Sequence, residues 1–425
     1  MAQQFGVNTI NRSDPTPERP VVGGYVSRSR EAPKSFSDPL WVIVPGYSTE
    51  TPYRCEWGAI HGSTLPAQGA QVAVAIDDND VPRVVWWEGE GFLTGIPGAK
   101  FDGVTDDTAA IQAAITRLPA NGGTLQWPGP ALTSGTLDFD GRRSVILQGF
   151  GGSSAGAAMA SRLIYTGTSG PAISARSSYG IKLRDIGVLY TNPSYTSDLI
   201  DLSNGGAGDT AYFNASGCYV GGAGVNGAKS LFTLNKCIIS KFTDMIWGAA
   251  EYAVRGRNNS SEYSNVITFD NCANGSSLLT AGVYRNAGEV WNFRNCTFEP
   301  LKNGEGVALS SSGPTQNGTT FDGCWFGDAA KANWITWSGN GLRVVGSYIA
   351  GGGETGGTGV TVTGESFGIE IVGNNFVSLE NAINIAGENC SGLTLTPNSY
   401  AAVKNKLVHP HAMTTSLIDA NLFTN

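Results

Sequence analysis

Phe269-Asp270-Asn271-Cys272, Phe293-Arg294-Asn295-Cys296 and Phe321-Asp322-Gly323-Cys324 are three versions of one four-residue unit. Further on, the same slot reads Val344-Val345-Gly346-Ser347, Ile371-Val372-Gly373-Asn374 and Leu395-Thr396-Pro397-Asn398. Counted at the fourth residue, the steps are 24, 28, 23, 27 and 24 residues. A period in the twenties built from strand-like pieces is the mark of a solenoid. Side chains alternate faces along a strand, so Phe269, Phe293, Phe321, Val344, Ile371 and Leu395 are predicted to stack inward. Asp270, Arg294 and Asp322 are predicted to stack outward. The Asn or Gly that follows suits a residue bent into the left-handed region. That bend turns one strand into the next, and the pattern predicts a parallel β-helix.

Composition agrees. Gly supplies 58 of 425 residues, about twice average usage, and charged residues only 15 %, against about 25 % in a typical domain. Such a chain is rich in turns and poor in charged helical faces. The hydrophobic fraction of 41 % is enough to fill a core. Net charge is −8 with no basic run, which argues against nucleic acid as a partner. No apolar run is long enough to cross a bilayer, so no membrane insertion is expected. Met1 to Arg12 has no apolar core of a secretion signal. The seven cysteines include no CxxC pair. Cys272, Cys296 and Cys324 come one per rung with no His nearby, which predicts buried thiols in a stack rather than metal ligands.

Ahead of the rungs the chain changes character several times. Residues 1–38 are rich in Pro, Ser and Arg and read as an extended arm. Residues 39–92 hold strand patterns at Leu40–Val44, Gln71–Ile76 and Pro82–Trp87, the last two joined by Asp77-Asp78-Asn79-Asp80, a hairpin signal. They predict a small β-barrel-like domain, OB-like in its size. Residues 105–118 read as a helix: Thr105 as N-cap, Asp106 and Asp107 in the first turn, and Ile111, Ile115 and Leu118 on one face. Asn121-Gly122-Gly123 ends it, and Thr124-Leu125-Gln126-Trp127 follows as a strand. Earlier, less regular rungs are Val145–Gly149, Leu183–Ile186 and Leu234–Cys237, with insertions at 151–160, 191–198, 205–209 and 247–264 expected to emerge as loops. Residues 401–425 are expected to form a C-terminal cap or tail.

The stretch from Pro97 to Gly129, with Asp102-Gly103-Val104-Thr105-Asp106-Asp107-Thr108 at its centre, resembles the entry motif of the pectate-lyase-like β-helix superfamily, common in phage tailspikes and polysaccharide-degrading enzymes. The motif covers about thirty residues; with the rungs, the resemblance spans roughly 97–400. It implies an all-β chain: a right-handed parallel β-helix at 97–400, preceded by a short capping α-helix, with the small β domain in front. In that family the helix caps the open end of the solenoid, so Asp102, Asp106 and Asp107 are expected to be structural.

Signatures of other chemistry are weak. There is no Walker loop and no HExxH, and no cofactor or metal site is expected. Gly152-Ser153-Ser154-Ala155-Gly156 matches G-x-S-x-G but lies in a Gly/Ser-rich loop rather than a strand–turn–helix. Asp270 and Asp322 are the candidate catalytic carboxylates. Two rungs apart in one outward slot they stand roughly 9.6 Å apart, near the spacing used in inverting glycoside hydrolysis. With Arg294 between them they equally suit an acid–base–acid ion ladder, and Arg343 and Glu370 read as a similar pair. Arg294, Trp325, Trp334 and Trp337 are the candidate glycan-binding residues, because flat aromatic faces beside polar groups stack on sugars.

The order arm, small β domain, cap and solenoid predicts a phage tailspike, a receptor-binding protein attached to phage baseplate or tail proteins through its N-terminal region. Its β-helix would meet a bacterial surface glycan, and the resemblance implies a homotrimer. The location so implied is the virion tail, assembled in the host cytoplasm and acting at the host cell surface. Two alternatives remain: a catalytically active polysaccharide depolymerase, hydrolase or lyase, and a non-catalytic structural spike.

Overall fold

The structure, a computed structural model, describes residues 21–31, 33, 38–44, 50–57, 66, 68–76, 82–87, 96, 98–119, 122–150, 159–204, 208–223, 225, 227–256, 264–275, 277–286, 288–311, 316–353, 357–395 and 397–411. The chain divides into two compact units, Met1–Pro97 and Gly98–Asn425.

The first unit is a closed five-stranded barrel. Its strands are β1 (Val21–Val26), β2 (Leu40–Ile43), β3 (Tyr53–Trp57), β4 (Gln71–Ile76) and β5 (Pro82–Trp87), in the spatial order β1-β2-β3-β5-β4. β4 and β5 pair antiparallel, while β3 and β5 run parallel through Glu56 opposite Arg83 and Trp57 opposite Val84. One parallel contact in an otherwise antiparallel barrel is a Greek-key arrangement, as an OB-like fold requires. Val26, Leu40, Val42, Val72, Val74 and Val84 fill the middle. Because β1 pairs with both β2 and β4, residues 21–26 belong to the barrel and not to the arm.

The second unit opens with α1 (Thr108–Arg117). The helix starts three residues later than its sequence signals suggest, and Thr105 does not cap it. Instead Asp102 accepts from the backbone N–H groups of Val104 and Thr105, at 2.8 and 2.7 Å, and from the Thr105 hydroxyl at 2.8 Å. This closes a turn ahead of the helix. Asp107 sits at the N-cap, yet its buried carboxylate turns back to accept from the N–H groups of Lys100 and Phe101, at 2.7 and 3.0 Å. No acid lies in the first helical turn. Asp106 accepts from the Thr108 N–H at 2.9 Å and from the Thr108 and Ser134 hydroxyls, so all three aspartates shape the entry to the helix. Ile111, Ala114 and Ile115 face the solenoid, and Gln112 bonds both backbone groups of Asp138 on the first lap. Residues 103 and 107 donate to Pro130 and Leu132 of the same lap. The cap therefore satisfies edge groups that would otherwise pair with another chain.

From Gly123 onward the chain winds as a parallel β-helix. Each lap lays one strand in a twelve-stranded sheet and then one or more in a second, 21-stranded sheet that wraps the other two sides. The continuous path of the twelve-stranded sheet holds eleven strands, one per lap, from Gly123–Trp127 to Ser391–Thr394. Register stacks Phe242, Phe269, Phe293, Phe321, Val344 and Ile371 in one inward column. The four rings lie nearly parallel with centroids 4.9, 4.8 and 4.7 Å apart, the spacing of the strands themselves. Asn271, Asn295, Gly323, Gly346 and Gly373 all hold φ between 50° and 71°, the left-handed bend that the repeat requires. The fourth slot runs Cys272, Cys296, Cys324, Ser347, Asn374, and all five are buried. All seven cysteines are free, and burial pushes the thiols of Cys218 and Cys237 up to about 12.

Three sequence expectations shift. Leu234–Cys237 is not a member of the rung column: Leu234 ends a strand of the 21-stranded sheet, and Phe242–Met245 occupies the slot. Part of 247–264 is not a loop either, since Ala250–Gly256 is a strand, while 257–263 lie outside the described residues. The last lap runs on through Ser399–Val408, past the expected boundary at 400. The arm at 1–20, the turn at 77–80, the Gly/Ser motif at 152–156 and residues 412–425 of the expected C-terminal cap or tail lie outside the described residues.

Candidate functional site

The outer face of the twelve-stranded sheet carries the predicted carboxylates. One outward column reads Thr243, Asp270, Arg294, Asp322, Val345, and a parallel column reads Lys182, Asn214, Lys241, Thr268, Asn292, Thr320, Arg343, Glu370. Asp270 and Asp322 are therefore two rungs apart, as the repeat implies. The ion ladder is different from the expected one. Asp270 pairs diagonally with Lys241 at 3.4 Å, and no ion pair joins Arg294 to either aspartate. Arg343 and Glu370 do pair, at 2.9 Å.

The tryptophans divide. Trp325 is 38 % exposed and stacks on Tyr348 of the next lap at 6.4 Å, the two planes 6° apart. Its ring folds over Gly327, where a Cβ would stand only 2.7 Å from it. Trp334 and Trp337 are fully buried, which corrects their reading as glycan-binding residues: a ring with no exposed face cannot stack on a sugar. Their indole N–H groups donate to the backbone carbonyls of Ala350 and Gly339, at 2.6 and 3.0 Å. Both point inward because the strand Lys331–Trp337 breaks alternation at Trp334-Ile335, where consecutive side chains are buried. Trp337 also flanks Arg285, a fully buried guanidinium held between Trp291 and Trp337 and donating to the carbonyls of Asn317 and Gly318 at 3.1 and 3.3 Å. Burial pulls its pKa down to about 9.

A groove that no sequence motif announced opens near the start of the same sheet. It has a volume of about 380 Å³ and is lined by Tyr179, Gly180, Lys182, Tyr212, Asn214 and Lys241, among others. Tyr179 and Tyr212 are 46 % and 43 % exposed, with ring centroids 4.8 Å apart, and the Arg143 guanidinium lies 5.9 Å from the Tyr179 ring. The pair offers apolar ring faces, and the amines and amide beside it offer hydrogen-bond donors. That combination binds a sugar through its C–H face and its hydroxyl rim together.

A column of backbone bends starts in the groove and runs on past it along the same sheet. Gly180, Tyr212, Ile239, Val266, Val290, Gly318, Gly341, Gly368 and Gly392 all have φ between 49° and 72°. Each lies three residues before the inward residue of its lap, and each adds an extra outward position. Glycine adopts this bend freely, whereas an L side chain with a Cβ gives up roughly 1–2 kcal/mol. Four successive laps nonetheless carry bulky side chains here, and all four are exposed. The sequence holds one signal for this column, the glycines three residues ahead of Phe321, Val344, Ile371 and Leu395. A second depression of about 360 Å³ is lined by Glu305, Lys331 and Asn333, with no aromatic side chain.

Among the described residues no group of three or more His, Cys, Asp or Glu could hold a metal ion. Among them also, no helix is long and apolar enough to cross a membrane.

The solved structures similar to this chain share its winding. The A-module of the Azotobacter vinelandii mannuronan C-5 epimerase AlgE6 is 15 % identical, with 76 % of this chain and 98 % of that chain covered and a TM-score of 0.51. The likeness is one of fold, a parallel β-helix. Weaker likenesses include Geobacillus virus E2 ORF18, at 18 % identity over 84 % of this chain and 71 % of that one, TM-score 0.39. The tailspike protein of Acinetobacter phage vB_ApiP_P1 is 12 % identical over 82 % and 64 %, TM-score 0.40. At these identities the likeness speaks for fold alone. Neither a protein-family model nor a curated protein matches the sequence.

Proposed function

We propose that this chain is a phage tailspike whose β-helix binds a polysaccharide on the host cell surface. The reading rests on one observation above the others: an exposed tyrosine pair set among Lys182, Asn214 and Lys241 in a groove on an otherwise even parallel sheet. The barrel and the residues before it would attach the spike to baseplate or tail proteins. Three copies would form the spike, acting from the virion tail at the cell surface. Supporting the attachment role is the order of parts, a separate barrel unit followed by a capped solenoid.

Titration calorimetry against purified host surface glycans tests the binding reading. Tyr212→Ala should weaken binding about tenfold or more, since loss of one aromatic platform is worth on the order of 1–2 kcal/mol. Unchanged affinity in both Tyr179→Ala and Tyr212→Ala would sink it. Light scattering at micromolar concentration tests the assembly, and a stable monomer counts against the trimer.

Cleavage is the second reading, supported by the register that sets Asp270 and Asp322 two rungs apart. Trp325, with Tyr348 beside it, and Arg294 would then hold sugar next to that pair. Asp270→Asn and Asp322→Asn should each abolish release of reducing ends; full activity in either variant removes this pair.

A further inference from the structure

The groove and the strained column belong to one surface. Tyr212, Ile239, Val266 and Val290 stand in register on consecutive laps, a row about 14 Å long running with the helix axis. Tyr179 extends it by one more lap. Two residues along each strand, Asn214, Lys241, Thr268 and Asn292 form a parallel polar row on the same face. An apolar rail beside a row of hydrogen-bonding groups matches a polymer with C–H faces and hydroxyl rims. The exposed β-branched side chains at left-handed φ are retained where glycine would relieve strain, and such outliers gather where a surface binds something.

Charge narrows the ligand. The chain carries a net −8, yet the groove is lined by two lysines and by no carboxylate. Among the described residues Lys182 has no ion-pair partner, Arg184 stands exposed on the same strand, and Arg143 stands exposed over the Tyr179 ring. Of the acids further along, Asp185, Asp270 and Glu289 are already engaged, by Gln148 at 3.2 Å, by Lys241 at 3.4 Å and by Asn265 at 3.2 Å. Lys241 is therefore partly neutralised, and Lys182 is the amine left for a ligand.

We infer that this groove takes an acidic polysaccharide lying lengthwise along the helix axis, with a sugar carboxylate at Lys182 and its apolar faces against Tyr212, Ile239, Val266 and Val290. The inference rests on the glycan-binding reading and adds the charge and direction of the ligand. Binding should weaken as salt rises, because one exposed ion pair is being screened.

The test uses hyaluronan and polygalacturonate oligomers, each in native and carboxyl-reduced form, against the full chain. At least one native polymer should bind about tenfold tighter than its reduced form. Lys182→Ala should erase that preference and leave the reduced form unaffected. Val266→Gly should weaken long oligomers and spare disaccharides. If reduced forms bind as tightly as native ones, the acidic ligand is wrong while glycan binding stands. If neither form of either polymer binds at millimolar concentration, the acidic ligand is also wrong, and glycan binding is then judged by Tyr212→Ala with host glycan. Equal effects on short and long oligomers overturn the lengthwise placement. A drop in oligomeric state for Ile239→Asn, with glycan affinity intact, would make the row an interface between copies and overturn the inference.

Discussion

Replacing Phe293 by Ala removes the middle ring of the inward stack. Phe293 is fully buried, its centroid 4.8 Å from Phe269 and 4.7 Å from Phe321, with Phe298 edge-on at 6.1 Å. Truncating a buried Phe to Ala costs about 3–5 kcal/mol, depending on how far the site collapses. Collapse is restricted here, because the rings on either side hang from strands whose spacing is fixed by ladder hydrogen bonds. The expected cost is therefore near the upper half, about 4 kcal/mol, or roughly three powers of ten in the opening equilibrium. Phe293→Leu keeps most of the volume and should cost about 1.5 kcal/mol. Native-state hydrogen exchange is the assay. In a solenoid each lap leans on its neighbours, so protection should fall first in Asn265–Asp270, Gly288–Arg294 and Gln316–Asp322. The strands β1 to β5 belong to a separate unit and should be unaffected. A cost below about 1 kcal/mol, or equal loss in the barrel, would refute the claim that this column holds the laps together.

Three further outcomes are expected. Trp337→Ala should destabilise by about 3–5 kcal/mol, whereas Trp325→Ala, half in solvent, should leave the urea midpoint nearly unchanged; the reverse order would contradict their burial. Asp107→Ala orphans the N–H groups of Lys100 and Phe101 and should cost about 2–3 kcal/mol in urea unfolding; a loss under half a kilocalorie would deny it a role in the entry loop. The N–H groups of Thr105 and Val104, with the Thr105 hydroxyl, hold the Asp102 carboxyl down at about 2. Its folded value lies below its unfolded one, so the stability it contributes is complete above about pH 4 and fades as pH falls toward 2. Asp102→Asn should flatten the thermal midpoint between those limits, and an unaltered slope would exclude that bond set as its cause.

The comparison of sequence with structure turns on which signals are local. Phe269, Phe293 and Phe321 repeat at nearly fixed spacing, and fixed spacing is all that an inward column needs. The left-handed slot was equally legible, since Asn271, Asn295 and Gly323 are residue types that tolerate the bend. Misreadings came where one position depended on distant chain. Thr105 looked like a cap, but the three aspartates around it are spent on the loop. Trp334 and Trp337 were offered to sugars for their aromatic faces alone, and the break in alternation that buries both depends on how the strand packs.

By itself the sequence determined the winding, because a lap needs only an apolar residue, a bend and a small buried side chain at each return. It also determined the cap, whose motif is contiguous. Only the tertiary structure decided where the surface is special. Tyr179, Tyr212, Ile239, Val266 and Val290 are separated by some two dozen to three dozen residues at each step. They meet because parallel register places successive laps about 4.8 Å apart, and Tyr212, Ile239, Val266 and Val290 face solvent because a left-handed bend turns each one outward against the alternation of its strand.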